Sequence, residues 1–298
     1  MRIVWIAASV LALALVVPMA AQAPPAGAAV APQAAAARPI RVYLRAGIKT
    51  HGPGQHDYPQ FLADWSNILT ARGAVVDGGL HFPSAEDLAG VDVLVMYKGD
   101  AGYMTADEKA VLETFLRRGG GLVSFHDTLC GDDPAWYSTI VGGAKKHGEM
   151  NFSAGPIKYT ITDPAHPIMQ GISDFEITDE AFFRMTWSET PKIHVLATAP
   201  MPTTGEVVPQ IWTYERQMFG GAATAQAFRA FVWMQGHAYA NFADPKVQPM
   251  ILRGIAWAAK APVDSLLTVR PTPARGGGRG AGAGRGAGEG AGRQGGAN

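Results

Sequence analysis

The 298-residue chain contains a single cysteine, Cys130, so it cannot form an intrachain disulfide and its stability must come from packing. It also lacks a net charge, because 25 lysine and arginine residues balance 25 aspartate and glutamate residues. That balance gives no indication of a nucleic-acid partner or an acidic partner. Outside the glycine-rich end we find no Gly-x-Ser-x-Gly, His-Glu-x-x-His, phosphate-loop or dinucleotide-binding motif. These absences weigh against nucleotide chemistry and against amide hydrolysis through a thioester.

The apolar run near the start, at residues 3–17, is too short to span a bilayer comfortably. It follows Arg2 and precedes the small residues Ala-Gln-Ala at 21–23. This pattern predicts a signal peptide over residues 1–23 and a periplasmic or secreted protein, with no stable membrane span after cleavage. A retained membrane anchor is the alternative interpretation.

Composition divides the rest of the chain into three parts. Residues 24–38 are mostly alanine, proline, glycine and glutamine, which predicts a flexible spacer. Residues 39–262 are predicted to form the folded domain. Residues 263–298 lead into a glycine-, alanine- and arginine-rich tract, which predicts a disordered tail.

The folded region alternates strand and helix patterns, which predicts an α/β domain with a mostly parallel sheet flanked by helices in three layers. Strands are expected at residues 40–46, 91–97 and 122–125. Helices are expected after Asp57 and Pro59, after the capping box of Thr105 and Glu108, and over residues 245–259. Beyond Ser153 the pattern changes to extended segments, which we expect to add antiparallel strands: residues 157–161, 194–198, 207–214 and 228–234.

Ionisable side chains follow several of these strands. In an open α/β sheet, ligands bind beyond the carboxyl ends of the strands. The residues at those positions, strand by strand, are His51 and His56, then Lys98 and Asp100, then His126 and Asp127, and finally Gly236 and His237. His126 occupies a strand-to-loop corner like the one on which hydrolases carry a nucleophile. The chain has only 8 histidines, so their number at this edge indicates a site.

Several short motifs, taken in their order and spacing, resemble the ThuA-like (trehalose utilisation) family over residues 39–260. They are His56-Asp57-Tyr58, Phe125-His126-Asp127, Trp136-Tyr137, Gly142-Gly143 with His147, His166-Pro167, Asp179-Glu180, Trp212 and Gly236-His237. One departure is the segment Gln226-Ala227-Phe228-Arg229, where relatives commonly have a Gly-Lys-Gly-Arg-like turn. The resemblance implies a class I glutamine amidotransferase-like (flavodoxin-like) fold and a role in sugar metabolism. It also implies that the protein is not a cysteine-dependent amidotransferase, because His126 stands where that cysteine would be.

We therefore expect a polar pocket that binds a carbohydrate. The candidate catalytic residues are His126, Asp127, Glu180 and His237, because imidazole and carboxylate groups can move protons near neutral pH. The candidate substrate-binding residues are His56, Trp136, Tyr137, His147 and Trp212; core packing is the alternative for the aromatic ones. His56, His126 and His237 are also candidate ligands of a divalent, zinc-like metal, the alternative being acid–base chemistry without a metal. His51, His81, His166 and His194 are expected to lie outside the site.

Two function classes fit these residues. The first is a hydrolase, lyase or isomerase acting on a sugar or keto-sugar derivative. The second is a carbohydrate-binding or scaffold module without turnover. An enzyme should bring its imidazole groups within reach of one another beside a carboxylate, so convergence of His56, His126 and His237 distinguishes the two.

Overall fold

The computed structural model describes residues 38–98, 103–218 and 227–270. The predicted signal peptide lies outside the described residues, as does the predicted spacer apart from Arg38. Asp100, Gln226 and the tail from residue 271 lie outside them too. The compact unit that contains the sheet begins at Pro39.

Five α-helices occur in the described part of the chain: Tyr58–Thr70 (α1), Ala85–Leu88 (α2), Ala106–Arg117 (α3), Pro134–Val141 (α4) and Val247–Ala258 (α5). The strands described are Arg41–Arg45 (β1), Val75–Gly79 (β2), Val93–Met96 (β3), Gly121–Phe125 (β4), Cys130–Gly131 (β5), Gly143–Lys146 (β6), Phe152–Ile161 (β7), Phe175–Phe182 (β8), Thr186–Trp187 (β9), His194–Pro200 (β10), Val207–Arg216 (β11) and Phe228–Trp233 (β12). The capping box predicted for α3 is confirmed, because the Glu108 N–H donates to Thr105 Oγ1 at 3.2 Å and the Thr105 N–H donates to the Glu108 carboxylate at 2.8 Å.

The strands of the described residues form one mixed nine-stranded sheet in the order β2-β1-β3-β4-β12-β11-β10-β7-β8. The pairings from β2 to β12 are parallel, and those from β12 to β8 are antiparallel. A separate small sheet has the order β5-β6-β9. The fold is therefore α/β, with parallel strands first and antiparallel strands added in the second half, as the sequence predicts.

The central parallel strands β3 and β4 are buried along their whole length, as their continuous apolar runs indicate. Helix α5 packs against β3, β4 and β12, and α1 packs against β1 and β2. The approach of α5 to the sheet is so close that a Cβ at Gly254 would overlap the ring of Phe231. This packing fixes the ends of the central strands, where the candidate residues lie.

Several elements were not predicted from the sequence: the strands β2, β5, β6, β8 and β9 and the helices α2 and α4. Strand β2 contains an aspartate and two glycines, and β8 contains three consecutive polar residues at 178–180, so neither has a strong strand signal. Helix α4 is short and begins at Pro134, after Asp133 as its N-cap, whose side chain accepts a hydrogen bond from the Trp136 N–H.

The domain extends further than the predicted boundary at residue 262. Residues 263–266 form a 3₁₀ helix in which Leu266 is buried, and Asp264 accepts a hydrogen bond from Arg253 at 2.7 Å. The expectation of disorder from residue 263 was wrong for residues 263–270, because Leu266 packs into the core. None of the helices in the described ranges is both long and apolar enough to cross a membrane.

Candidate functional site

Three histidines from distant parts of the sequence meet beyond the carboxyl ends of β1, β4 and β12. His56, His126 and His237, here called the histidine cluster, each place one ring nitrogen within 4.8 Å of the others. The Nε2 atoms of His56 and His126 are 3.0 Å apart. The ring centroid of His237 lies 4.5 Å from that of His56 and 5.4 Å from that of His126. The convergence expected of an enzyme site is thus present.

Backbone geometry brings the three segments together. The His56 N–H donates to the carbonyl of His237 at 3.0 Å, which joins the loop after β1 to the loop after β12. His126 begins a 3₁₀ helix directly after β4 with a φ of 49°, and His56 has a φ of 46°. Gly236 has a φ of 134°, and a Cβ there would lie 3.3 Å from the Cβ of His126. A glycine before His237 therefore serves both the turn and the close approach of the chains.

The outer nitrogens of two cluster members have partners that orient the rings. The Nδ1–H of His126 donates to the carbonyl of Met234 at 3.4 Å, so its Nε2 carries the lone pair when the ring is neutral. His56 Nδ1 lies 3.2 Å from Thr50 Oγ1 and 3.8 Å from Asp127 Oδ2. Both rings thus direct Nε2 towards the same point. An acceptor on the far nitrogen is the usual arrangement for a metal-binding imidazole.

Burial favours the neutral form of the cluster. It lowers the pKa of His126 and of His56, and the charges of His237 and His126 respectively act in the same direction. The pKa of His237 is lowered chiefly by burial, and then by His51. Neutral imidazole is the form that binds metal ions.

Glu180, at the end of β8, lies between two members of the cluster. Its Oε1 is 4.0 Å from His126 Nε2, and its Oε2 is 3.9 Å from His237 Nδ1. Burial raises the pKa of Glu180 to about 7, and the nearby Asp127 carboxylate acts in the same direction, whereas Lys145 lowers it. A carboxyl group with such a pKa can both accept and release a proton near neutral pH.

The neighbouring Asp179 points the other way and holds the backbone of the turn. It accepts hydrogen bonds from the backbone N–H groups of Gly236 at 3.2 Å and His237 at 3.0 Å, and from Asn241 Nδ2 at 2.7 Å. Burial raises its pKa to about 6, although the hydrogen bonds from Asn241 and the backbone act in the opposite direction. Only one of the two adjacent carboxylates therefore faces the cluster.

Replacing Asp179 by alanine should lower the stability of the domain by roughly 3–5 kcal/mol, because several buried N–H groups would lose their acceptor. That corresponds to a fall of about 10 °C in Tm for a domain of this size. Thermal unfolding followed by circular dichroism measures it. Glu176→Ala, an exposed position on the same strand, is the matched control and should change Tm little. Equal Tm values for the two variants would contradict this role of Asp179.

The cluster opens into a pocket of about 200 Å³. The predicted residues that line it are His56, Asp127, His147, Glu180 and His237. His51, expected outside the site, also lines it, with its ring centroid 4.0 Å from that of His56. Sequence reasoning also missed Lys145, Phe152 and Phe182, and Cys130 lines the pocket as a buried side chain.

Three predicted substrate-binding residues lie away from the pocket. Tyr137 and Trp212 are 1% and 0% exposed, and Trp212 Nε1 donates to the carbonyl of Val141 at 2.7 Å, so neither ring offers a face to a sugar. Trp136 donates through Nε1 to Glu113 at 3.2 Å and does not line the pocket. The expected stacking role was wrong for Tyr137 and Trp212, because their rings lie inside the core, which is the alternative stated for them. Trp136 is partly buried against the core, and its stacking role stays a prediction. His126 belongs to the cluster but is fully buried and stacks on Phe182, so its own ring does not line the pocket.

The donor set fits a divalent metal of the zinc type. Two Nε2 atoms that both carry lone pairs would repel each other at 3.0 Å unless a proton or a cation lies between them. Zinc–nitrogen bonds of ~2.0–2.1 Å at tetrahedral angles place ligand nitrogens roughly 3.3 Å apart. His237 Nδ1 is buried without a hydrogen-bond partner, so one further donor nitrogen is available at the cluster.

The fold and the pocket define an α/β protein with three histidines and one glutamate at the carboxyl edge of its sheet. The chain belongs to the ThuA family: the family model described as trehalose utilisation matches residues 55–258, more than half of the chain. This confirms the resemblance recognised in the sequence motifs.

Solved structures agree with that assignment. A protein described as ThuA-like from Bacteroides uniformis has a TM-score of 0.58 at 17% identity, over 80% of this chain and 100% of its own. A second, from Parabacteroides merdae, has a TM-score of 0.58 at 20% identity, over 74% of this chain and 90% of its own. At these identities the likeness shows the fold alone. No curated protein matches this chain significantly.

Proposed function

We propose that this protein is an enzyme that moves a proton beside the carbonyl group of a keto-sugar derivative. The observation that carries the proposal is the position of Glu180, whose two oxygens lie 4.0 and 3.9 Å from nitrogens of His126 and His237 at the wall of an open pocket. A carboxylate so placed can act as a general base towards a substrate bound over the cluster.

His56, His126 and His237 would hold the metal, which supplies Lewis-acid polarisation of the substrate carbonyl. Glu180 removes the proton from the carbon next to the carbonyl. The electron pair of that C–H bond then forms a carbon–carbon double bond as the carbonyl oxygen takes up negative charge. Return of the proton from Glu180 to the same carbon restores the substrate. Its delivery to the former carbonyl carbon gives an isomer when the first carbon bears a hydroxyl group, whose proton passes to the negatively charged oxygen as the new carbonyl forms. Asp127, 3.8 Å from His56 Nδ1, keeps that ring oriented.

The sugar class rests on the description of the family, trehalose utilisation. We further propose that the protein is exported, on the strength of the signal-peptide pattern at residues 1–23. We also propose a three-layer arrangement like that of the class I glutamine amidotransferases, which the packing of α1 and α5 on the parallel strands supports.

Deuterium exchange tests the proposed reaction without knowledge of the product. The purified protein is incubated in D₂O with a series of keto-disaccharides and with the same disaccharides unoxidised, and the sugars are analysed by NMR. We expect deuterium at the carbon beside the carbonyl of a keto-sugar and none in the unoxidised sugars. Exchange should fall after treatment with EDTA and return with Zn²⁺.

Binding of these sugars with no exchange at any carbon would contradict the catalytic proposal and would favour the carbohydrate-binding module instead. Full exchange by metal-free protein would remove the metal from the proposal and leave Glu180 as the base.

A further inference from the structure

A buried lysine faces the same pocket from the small sheet. Lys145 lies on β6, pairs in register with Cys130 of β5, and is 5% exposed. Lysine side chains are seldom buried to this degree unless a partner compensates the charge. Its environment therefore decides what the ammonium group can bind.

The partners that the structure gives Lys145 compensate its charge only in part. Nζ donates to the carbonyl of Glu149 at 3.3 Å, and it lies 4.8 Å and 5.8 Å from the ring centroids of Phe182 and Phe152. Within the residues that the structure describes, no carboxylate forms an ion pair with it. An ammonium group has three N–H donors, so a single carbonyl leaves donors available for a ligand.

Lys145 shares its pocket with the acid–base residues. Lys145 lines the same pocket as Glu180 and His237, its backbone is held by pairing with Cys130, and its Nζ lies over the rings of Phe182 and Phe152. Glu180 is near enough for the charge of Lys145 to lower its pKa, but the two side chains form no ion pair in the described part of the chain. The pocket thus has an acid–base side, formed by Glu180 and the cluster, and a cationic side, formed by Lys145.

We infer that Lys145 binds a carboxylate on the substrate, so that the protein takes a sugar acid rather than a neutral sugar. This inference rests on the proposed function for the sugar class but not for the proton transfer. An ammonium group in a site walled by aromatic rings binds an anion more strongly than it would in water, because little solvent screens the pair.

Binding measurements test the inference independently of turnover. Isothermal titration calorimetry compares D-glucuronate and D-gluconate with D-glucose at constant ionic strength, using full-length protein treated with EDTA so that no metal contributes to carboxylate binding. We expect at least one of the acids to bind roughly 10-fold or more tightly than glucose. Lys145→Met, which keeps the length of the stem, should abolish this preference, and Lys145→Arg should retain part of it.

Lys146→Met is the matched control, because Lys146 is the exposed neighbour on the same strand. It should leave the preference unchanged, and thermal unfolding should show that all three variants are folded. Equal affinities for acids and glucose in the wild-type protein, or a preference that survives in Lys145→Met, would overturn the inference. Failure of the proton-transfer proposal would leave these affinities unchanged, so the two can be told apart.

Discussion

Glu180→Gln should lower the rate of proton exchange by roughly 10²–10⁴-fold, the usual contribution of a general base. Glutamine has nearly the same shape but cannot accept the proton. Among the described residues the Glu180 side chain, unlike that of Asp179, makes no hydrogen bond that holds the backbone, so Tm and sugar affinity should change little. Deuterium exchange by NMR, thermal unfolding and calorimetry measure the three quantities.

Glu149→Gln is the control for this variant, since Glu149 also lines the pocket but is exposed. It should retain most of the exchange rate. A Glu180→Gln protein with nearly full activity would contradict the assignment of the base, as would an equal loss in both variants.

Substitution of any histidine of the cluster by asparagine should weaken zinc binding by more than roughly 100-fold, beyond the ~10–100-fold effect of an outer-shell partner. Asparagine is the appropriate replacement at His56 and His126 because it tolerates their positive φ angles of 46° and 49° better than alanine does. Loss of affinity would then report the missing ligand and not a disturbed backbone. Competition with a zinc-binding dye measures the affinity.

His194→Asn provides the comparison, because His194 is exposed and pairs with Asp163 at 2.9 Å, away from the pocket. It should bind zinc like the wild-type protein. Equal zinc affinity in the wild-type protein and in the three cluster variants would contradict the proposed ligands.

The sequence predicts the location of the site because topology alone brings the ends of parallel strands together. His126 directly follows β4, and His237 follows β12 after three residues. These two buried strands are adjacent in the sheet. His56 follows β1 at a distance in sequence, yet the helix start at Tyr58 fixes it near the same edge. Each of these signals comes from a short stretch of sequence, and an open, parallel sheet of any strand order brings such strand ends to one edge.

The errors share a physical cause, which is that burial and side-chain direction depend on the whole fold. Tyr137 and Trp212 are residue types that often stack on sugars, but α4 and β11 direct both rings into the core. Lys145 gave no signal in the sequence, because only the pairing of β6 with β5 and β9 places it at the pocket wall. The anchoring of Gly236 and His237 by Asp179 likewise gave no signal in the sequence, because it joins β8 to the distant loop after β12.

The central claim is that the histidine cluster holds a metal ion beside Glu180. Anomalous X-ray diffraction at the zinc absorption edge, from crystals grown with Zn²⁺, tests it most directly. We predict an anomalous peak ~2.0–2.1 Å from one ring nitrogen of each of His56, His126 and His237, on the side facing the pocket. A peak on other residues alone, or a cluster without a peak, would contradict the account.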